Sequence, residues 1–297
     1  MHAGQLVVAH STVRALIDEQ FPQWRNLPLR RISTTGTVHA IFRLGDMLVA
    51  RLRLEVDEPE LVRTEVRAEA EAARELAGAT RFPTPEPVAI GQPGEQYPMP
   101  WLVQTWIEGT VAIDDDPGES EQFASDLAEF ITGVRHIDTR GRRYGGHGRG
   151  GVLADHDEWI QECLVQSEDL LDTGTLSRIW NAMRELPRGD SPDVMNHGDL
   201  LPGNLLVHEG HLTGVIDVGG LTAADPALDL VSAWHLLEAG PRRVLRDHLG
   251  TSDDEWERGK AWAFQQAMGA VWYYVDSNPT FSHIGRRTLA RIAADSS

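Results

Sequence analysis

The chain has 297 residues, a single cysteine and a formal net charge of −18. One thiol excludes an intrachain disulfide framework, so Cys163 reads as a small buried hydrophobe in a reducing compartment. The acidity disfavours nucleic acid and anionic membranes and suits a cationic ligand. No run approaches the roughly 20 apolar residues of a membrane span, and no basic segment leads into an apolar stretch, so a soluble, cytoplasmic protein is expected.

In chain order, residues 11–20 read as a short helix, with Ser11 as N-cap and Val13, Leu16 and Ile17 on one face. Beta-type runs follow at 29–33, 38–44 and 47–54, the last two joined by Gly45-Asp46. Residues 59–77 form a strong helix signal: Pro59 can start it, and Leu61, Val62, Val66, Ala70, Ala73 and Leu76 share a face. Pro83-Thr84-Pro85-Glu86-Pro87 breaks that pattern, and 88–90 and 101–106 return to strand character, with Gly109 marking a crossing into the second half. The acidic turn Asp114-Asp115-Asp116-Pro117 is expected to cap a helix over 118–138, with Phe123, Leu127, Phe130, Ile131, Val134 and Ile137 buried. The segment 140–151 is rich in glycine and arginine. It is short and set in an acidic chain, which favours a mobile surface loop over a nucleic-acid tract. Helices are expected at 157–171, on Trp159, Leu164 and Leu170, and at 176–186, on Leu176, Ile179, Trp180 and Met183. Pro226 opens a further helix carrying Leu230, Val231, Trp234 and Leu237, and a last one spans 253–275. There is no internal repeat and no low-complexity linker.

The most informative stretch is His197-Gly198-Asp199-Leu200-Leu201-Pro202-Gly203-Asn204, answered by Ile216-Asp217-Val218-Gly219. Between them, Leu205-Leu206-Val207, Glu209-Gly210 and Leu212-Thr213-Gly214-Val215-Ile216 read as strand, tight turn, strand. The hairpin brings its two polar ends together, so Asn204 and Asp217 can face one point with Asp199 beside them. Phosphoryl transfer needs that set: one carboxylate to take or orient the proton of an attacking hydroxyl, and an amide oxygen with a second carboxylate to hold Mg2+ on nucleotide phosphates. The spacing agrees with the kinase catalytic loop and its metal-binding aspartate.

With glycine in the middle of His197-Gly198-Asp199, and with Leu200 and Asn204 following, the chain resembles the aminoglycoside phosphotransferase family, protein-kinase-like small-molecule kinases that also resemble choline kinases. The resemblance implies an α+β, bilobal protein-kinase-like fold: an N-terminal antiparallel sheet lobe with one long helix over 1–106, which binds nucleotide, and a larger, mostly helical C-terminal lobe over 107–297, which carries catalysis and the acceptor. It implies Asp199 as the catalytic carboxylate, Asn204 and Asp217 on Mg2+, and His197 and Asp229 orienting the loop. Val49-Ala50-Arg51 occupies the place of the third-strand Val-Ala-x-Lys, with Arg51 for lysine and Arg53 as a competitor on the same strand face. Glu65, Glu69 and Glu71 are candidates for its carboxylate partner, and the family pattern selects Glu69. The hairpin at Thr35, Gly36 and Thr37 corresponds to the phosphate cover, although it holds one glycine and is not a Gly-x-Gly-x-x-Gly loop. Gln104, Thr105, Trp106 and Ile107 stand where a purine edge meets hinge backbone. Trp272, Tyr273 and Asp276 border the implied acceptor site, and Gly220, where the family often has a polar residue, is expected to open that side.

The implied activity moves the γ-phosphoryl of ATP or GTP to a hydroxyl of an aminoglycoside-type antibiotic, an antibiotic-resistance chemistry. Kinases of macrolides, choline-like alcohols, sugars or homoserine share the pattern. A nucleotide-binding pseudokinase-like module would also keep the fold. A zinc- or manganese-dependent phosphohydrolase would need further histidines and acids at ligand spacing. Near the site the sequence offers only His208 and His211.

Overall fold

The computed structural model describes residues 6–32, 38–189 and 191–295. It divides into two compact units. One gathers the described residues of Met1–Ala77 with Pro83–Glu108 and Ile216–Gly219; the other gathers those of Gly78–Phe82, Gly109–Val215 and Gly220–Ser297.

The first unit holds α1 (His10–Gln20), β1 (Leu29–Ile32), β2 (His39–Leu44), β3 (Leu48–Arg53), α2 (Pro59–Leu76), β4 (Pro87–Gly91) and β5 (Trp101–Thr105). The strands form one antiparallel sheet in the order β1-β2-β3-β5-β4. Alternation along β2 buries Ala40, Phe42 and Leu44 while His39, Ile41 and Arg43 face the other way. Ala50 and Leu52 of β3 join them in a core with Trp101, Val103 and the Val13, Leu16 and Ile17 stripe of α1. The same alternation puts Arg51 on the opposite face, paired in register with Ile41 on one side and Leu102 on the other. Two local expectations fail here. Ala9, not Ser11, is the N-cap of α1, and it makes no side-chain cap bond. Leu61 is 48% exposed, because α2 buries only the narrower stripe of Val62, Ala70, Ala73 and Leu76.

The second unit begins with β6 (Thr110–Val111) and α3 (Glu121–Arg135), followed by α4 (Asp157–Gln166), α5 (Thr173–Met183) and β7 (Val194–Asn196). The hairpin β8 (Leu205–His208) and β9 (His211–Val215) comes next, then β10 (Thr222–Ala224), α6 (Val231–Leu236), α7 (Ala239–Leu249), α8 (Asp253–Tyr273) and α9 (Pro279–Asp295). The strands form two small sheets, β6-β8-β9 and β10-β7. Glu209 and Gly210, both at positive φ (50° and 73°), make the two-residue turn between β8 and β9. Phe123, Phe130, Trp180, Trp234, Trp262 and Phe264 fill the core. Inside it Arg258 forks onto Asp225, Nε to Oδ2 at 2.8 Å and Nη2 to Oδ1 at 3.0 Å.

Three expectations for this unit are corrected. Ser120 caps α3, accepting from Phe123 N–H, and the preceding aspartates do not; Asp116 instead accepts from Gly118 N–H and pairs with Arg287. The buried face of α4 is Ile160, Cys163 and Leu164, and Trp159 is 40% exposed. The glycine- and arginine-rich segment is anchored at its end: Tyr144 Oη donates to Gly148 O at 2.6 Å, and Asp225 N–H donates to Gly150 O at 3.1 Å. Gly150 (φ +97°) lies so close to Ala224 that a Cβ would sit 2.6 Å from the alanine methyl.

Candidate active site

In the first unit, Arg51 bridges two carboxylates. Its Nη1 lies 2.8 Å from Glu69 Oε1, and its Nη2 donates to Asp217 Oδ1 at 2.8 Å. The planar fork makes this possible, since each end of one guanidinium serves a different partner. The competing pair is also resolved: Arg53 donates to Glu65, leaving Glu69 to Arg51. Burial opposes the charge on Arg51, but Glu69 and Asp217 outweigh it and raise its pKa. Burial raises the pKa of Glu69, with Asp217 adding to the rise and Arg51 opposing it. Asp217 itself holds a left-handed backbone (φ +61°), rare for a residue with a side chain, and Gly219 leaves only 3.0 Å between a would-be Cβ and Glu69 Cγ.

A cavity of about 190 Å³ opens beside this cluster, lined by His39, Arg51, Arg53, Glu65, Glu69 and Leu102 among others. Nothing in the sequence singles out His39. Burial, then the Arg51 charge, lowers its pKa to about 4, so it is a neutral group at the edge of the cavity. Gln104 is buried in the ladder of β5, and Ile107 is partly buried. The N–H of Trp106 donates to Met47 O at 2.8 Å and that of Thr105 to Glu86 O at 2.9 Å. Both N–H groups are thus engaged by carbonyls of the same unit, which leaves a base edge the carbonyl side of Trp106. Its ring carries the Arg43 guanidinium, 4.7 Å from the centroid. Thr35, Gly36 and Thr37 lie outside the described residues.

In the second unit, the loop after β7 is held from behind by Asp229, which is wholly buried. Its Oδ2 accepts from His197 N–H at 2.7 Å and its Oδ1 from Gly198 N–H at 2.9 Å. Burial raises the Asp229 pKa, while His197 and the two amides oppose the rise. Gly198 turns at φ +83°, and a Cβ there would sit 2.9 Å from Gly220 O; a Cβ on Gly220 would sit 2.9 Å from His197 O. The missing side chain of Gly220 is thus taken up by the loop backbone and does not open an acceptor side. The N–H of Asp199 donates to His197 Nδ1 at 3.3 Å. Asn204 Nδ2 donates both to Asp199 O and to Asp199 Oδ2, each at 2.9 Å. Arg149 approaches the other carboxylate oxygen: Nη2 lies 3.4 Å from Asp199 Oδ1 and donates to Gly198 O at 3.2 Å. Nothing in the sequence around Arg149 pointed to this place.

Because Asn204 spends its amide nitrogen on Asp199, its amide oxygen is the end left to meet a cation. Asp217 offers a half-exposed carboxylate. Hard oxygen donors of this kind suit Mg2+, which keeps few protein ligands and completes its shell with phosphate oxygens and water. Among the described residues no group of three His, Cys, Asp or Glu side chains could hold an ion by itself. Of the expected acceptor residues, Tyr273 and Asp276 are exposed, and Trp272 packs against Trp159 with ring centroids 6.0 Å apart.

An antiparallel sheet whose strand carries a basic residue paired with a glutamate of one long helix, and a helical unit carrying a His-Gly-Asp loop, define a kinase-like class of protein. Residues 29–262 match the family described as the phosphotransferase enzyme family, and the chain belongs to it. It is similar to an aminoglycoside 3'-phosphotransferase of Escherichia coli, 45% identical over 152 residues, covering 46% of this chain and 53% of the relative. A Streptomyces fradiae aminoglycoside 3'-phosphotransferase is 31% identical over 149 residues, again covering 46% and 53%. The chain therefore spans about half the length of the curated relatives it matches. Among solved structures, the GDP and kanamycin complex of APH(2")-IIia superposes with a TM-score of 0.72 at 18% identity, covering 96% of this chain and 99% of that one. The apoenzyme of the macrolide 2'-phosphotransferase MphH from Brachybacterium faecium gives 0.61 at 18% identity, covering 92% and 97%. These likenesses show the fold.

Proposed function

We propose that the protein is a small-molecule O-phosphotransferase that moves the γ-phosphoryl of ATP or GTP to a hydroxyl of an aminoglycoside-type antibiotic. The observation that carries this is the Arg51 fork on Glu69 and Asp217, two contacts of 2.8 Å joining a strand, a helix and the residue just beyond the β8–β9 hairpin. It supplies a fixed cation for phosphate oxygens and a carboxylate at the position expected for a metal ligand. Asp199, steadied by Asn204, accepts the proton as the acceptor oxygen forms its bond to phosphorus. The bond from phosphorus to the bridging oxygen breaks, and nucleoside diphosphate leaves. Mg2+, held by Asn204 and Asp217, would neutralise charge on the phosphates when bound. Asp229 and His197 keep the loop in place. The hinge role falls to the carbonyl of Trp106 and the backbone of Ile107, since the Trp106 N–H is engaged. Thr35, Gly36 and Thr37 are proposed as the phosphate cover, and Trp272, Tyr273 and Asp276 as an acceptor border.

The buried single cysteine, Cys163, whose pKa burial raises to about 11, suits a reducing cytoplasm. Among the described residues no helix is long and apolar enough to cross a membrane. The test is a coupled assay of nucleoside diphosphate release over aminoglycosides, macrolides, choline and sugars, each with ATP and with GTP. Stimulation by aminoglycosides supports the reading. Stimulation only by another hydroxylated compound moves the acceptor class, and no stimulation by any acceptor overturns it.

A further inference from the structure

Arg149 closes a buried chain of hydrogen bonds whose direction is fixed from its far end. Thr288 Oγ1 donates its hydrogen to Ile284 O at 2.9 Å, so its oxygen accepts from His235 Nδ1–H at 3.0 Å. Burial lowers the His235 pKa to about 4, leaving the ring neutral with Nε2 as an acceptor. The amide of Gln266 must then turn its NH2 to His235 Nε2, at 2.9 Å, which points its carbonyl oxygen at Arg149, 3.1 Å from Nη2. Arg149 in turn lies 3.4 Å from Asp199 Oδ1 and donates to Gly198 O at 3.2 Å, while Asn204 occupies Asp199 Oδ2. The Gln266 oxygen faces both Nη1 and Nη2 of Arg149, and the chain ends on the carboxylate assigned the proton transfer. The guanidinium side chain is 29% exposed, and the anchored Gly148–Gly150 turn delivers it.

We infer that Arg149 is a positioning residue for Asp199, aimed by the Gln266–His235–Thr288 chain, and that it fixes the carboxylate orientation for the incoming hydroxyl. This rests on the phosphotransferase reading only where turnover is measured; the contact itself does not depend on it. The position lies far from the catalytic loop in sequence, and its partners come from three different helices.

The test uses the full chain, with kanamycin and the preferred nucleotide as probes. Arg149→Ala should lower kcat by about 10- to 100-fold, the range expected for one charge-assisted contact, with the KM for nucleotide within about 2-fold. Guanidinium added to the buffer should restore part of the rate of Arg149→Ala and none for wild type. In an Asp199→Asn background the same substitution should cost no further rate, because its effect runs through that carboxylate. Gln266→Met, approached from the other end, should lower kcat without adding to Arg149→Ala. A full, independent loss in the Asp199→Asn background overturns the inference. In parallel, phenylglyoxal labelling with peptide mapping should find Arg149 protected in wild type and reactive in Asp199→Asn and Gln266→Met; equal reactivity in all three also overturns it. If the wild type shows no turnover with any acceptor, the phosphotransferase reading fails and the labelling decides the inference alone.

Discussion

Replacing Arg51 with methionine removes the cation and keeps most of its volume, leaving Glu69 and Asp217 facing each other. The Asp217 arm is worth little to stability, since that side chain is 48% exposed and screened. The Glu69 arm is different: its side chain is only 15% exposed, and stranding one partner of a buried ion pair costs about 3–5 kcal/mol. There is also a ceiling. Once unpaired, Glu69 can take a proton, and neutralising a carboxyl of ordinary value 4.5 at pH 7 costs about 3 kcal/mol. The loss for Arg51→Met is therefore set at about 2–3 kcal/mol at pH 7. It should shrink below about 1 kcal/mol near pH 5, where the proton is cheap. Urea unfolding at both pH values, with hydrogen exchange read over 48–53 and 59–76, assigns the change to the first unit. A loss below about 1 kcal/mol at pH 7, or one that grows toward pH 5, would show that Arg51 does not hold a buried Glu69 carboxylate. Nucleotide affinity should fall together with stability, and Arg51→Lys should recover part of the affinity, because a single ammonium cannot serve both carboxylates with the same geometry.

Gly198→Ala should cost about 2 kcal/mol and lower kcat, since a Cβ at φ +83° meets the Gly220 carbonyl oxygen at 2.9 Å; unchanged melting and turnover would remove the steric argument. Arg258→Met strands the buried Asp225 carboxylate and should destabilise by about 3–5 kcal/mol, read as the shift in urea midpoint. His235, lowered from 6.5 to about 4, binds fewer protons folded than unfolded between those values, so its contribution holds above about pH 6.5 and drains as pH falls. The wild type should lose about 2 kcal/mol between pH 7 and 5 from this group, and His235→Asn should lose correspondingly less over the same interval.

Much of this molecule was legible from sequence, and the rest was hidden for identifiable reasons. Strict alternation on β2, and the alanine–valine–leucine stripe of α2 after Pro59, put the sheet and its helix within a residue or two of their places. Helix spacing left Glu65, Glu69 and Glu71 open as partners of Arg51; only the family resemblance selected Glu69, and in the structure Glu65, one turn earlier, serves Arg53. By contrast α7 and α9 went unread. The buried face of α7 is Pro241, Arg242 and Leu245, and that of α9 mixes Leu289 and Ile292 with Ser282, Gly285, Thr288 and Arg291, so polar residues interrupt the apolar stripe of each. In α9, burial of Arg291 is offset by carbonyls of Trp234 and His235, partners that no local pattern reveals. Arg149 was hidden by composition: glycines and arginines read as a solvated loop, yet one of them, Gly150, permits close backbone approach to β10.

The central claim is that Asp199 takes the proton from a hydroxyl that receives the γ-phosphoryl group. Transfer of labelled γ-phosphate from ATP or GTP to kanamycin, followed in wild type and in Asp199→Asn, tests it most directly. The wild type should yield labelled antibiotic, and the variant should do so at a rate at least about 100-fold lower, with nucleotide affinity unchanged. Labelled inorganic phosphate as the sole product of the wild type, or a variant within about 3-fold of it, would contradict this role for Asp199.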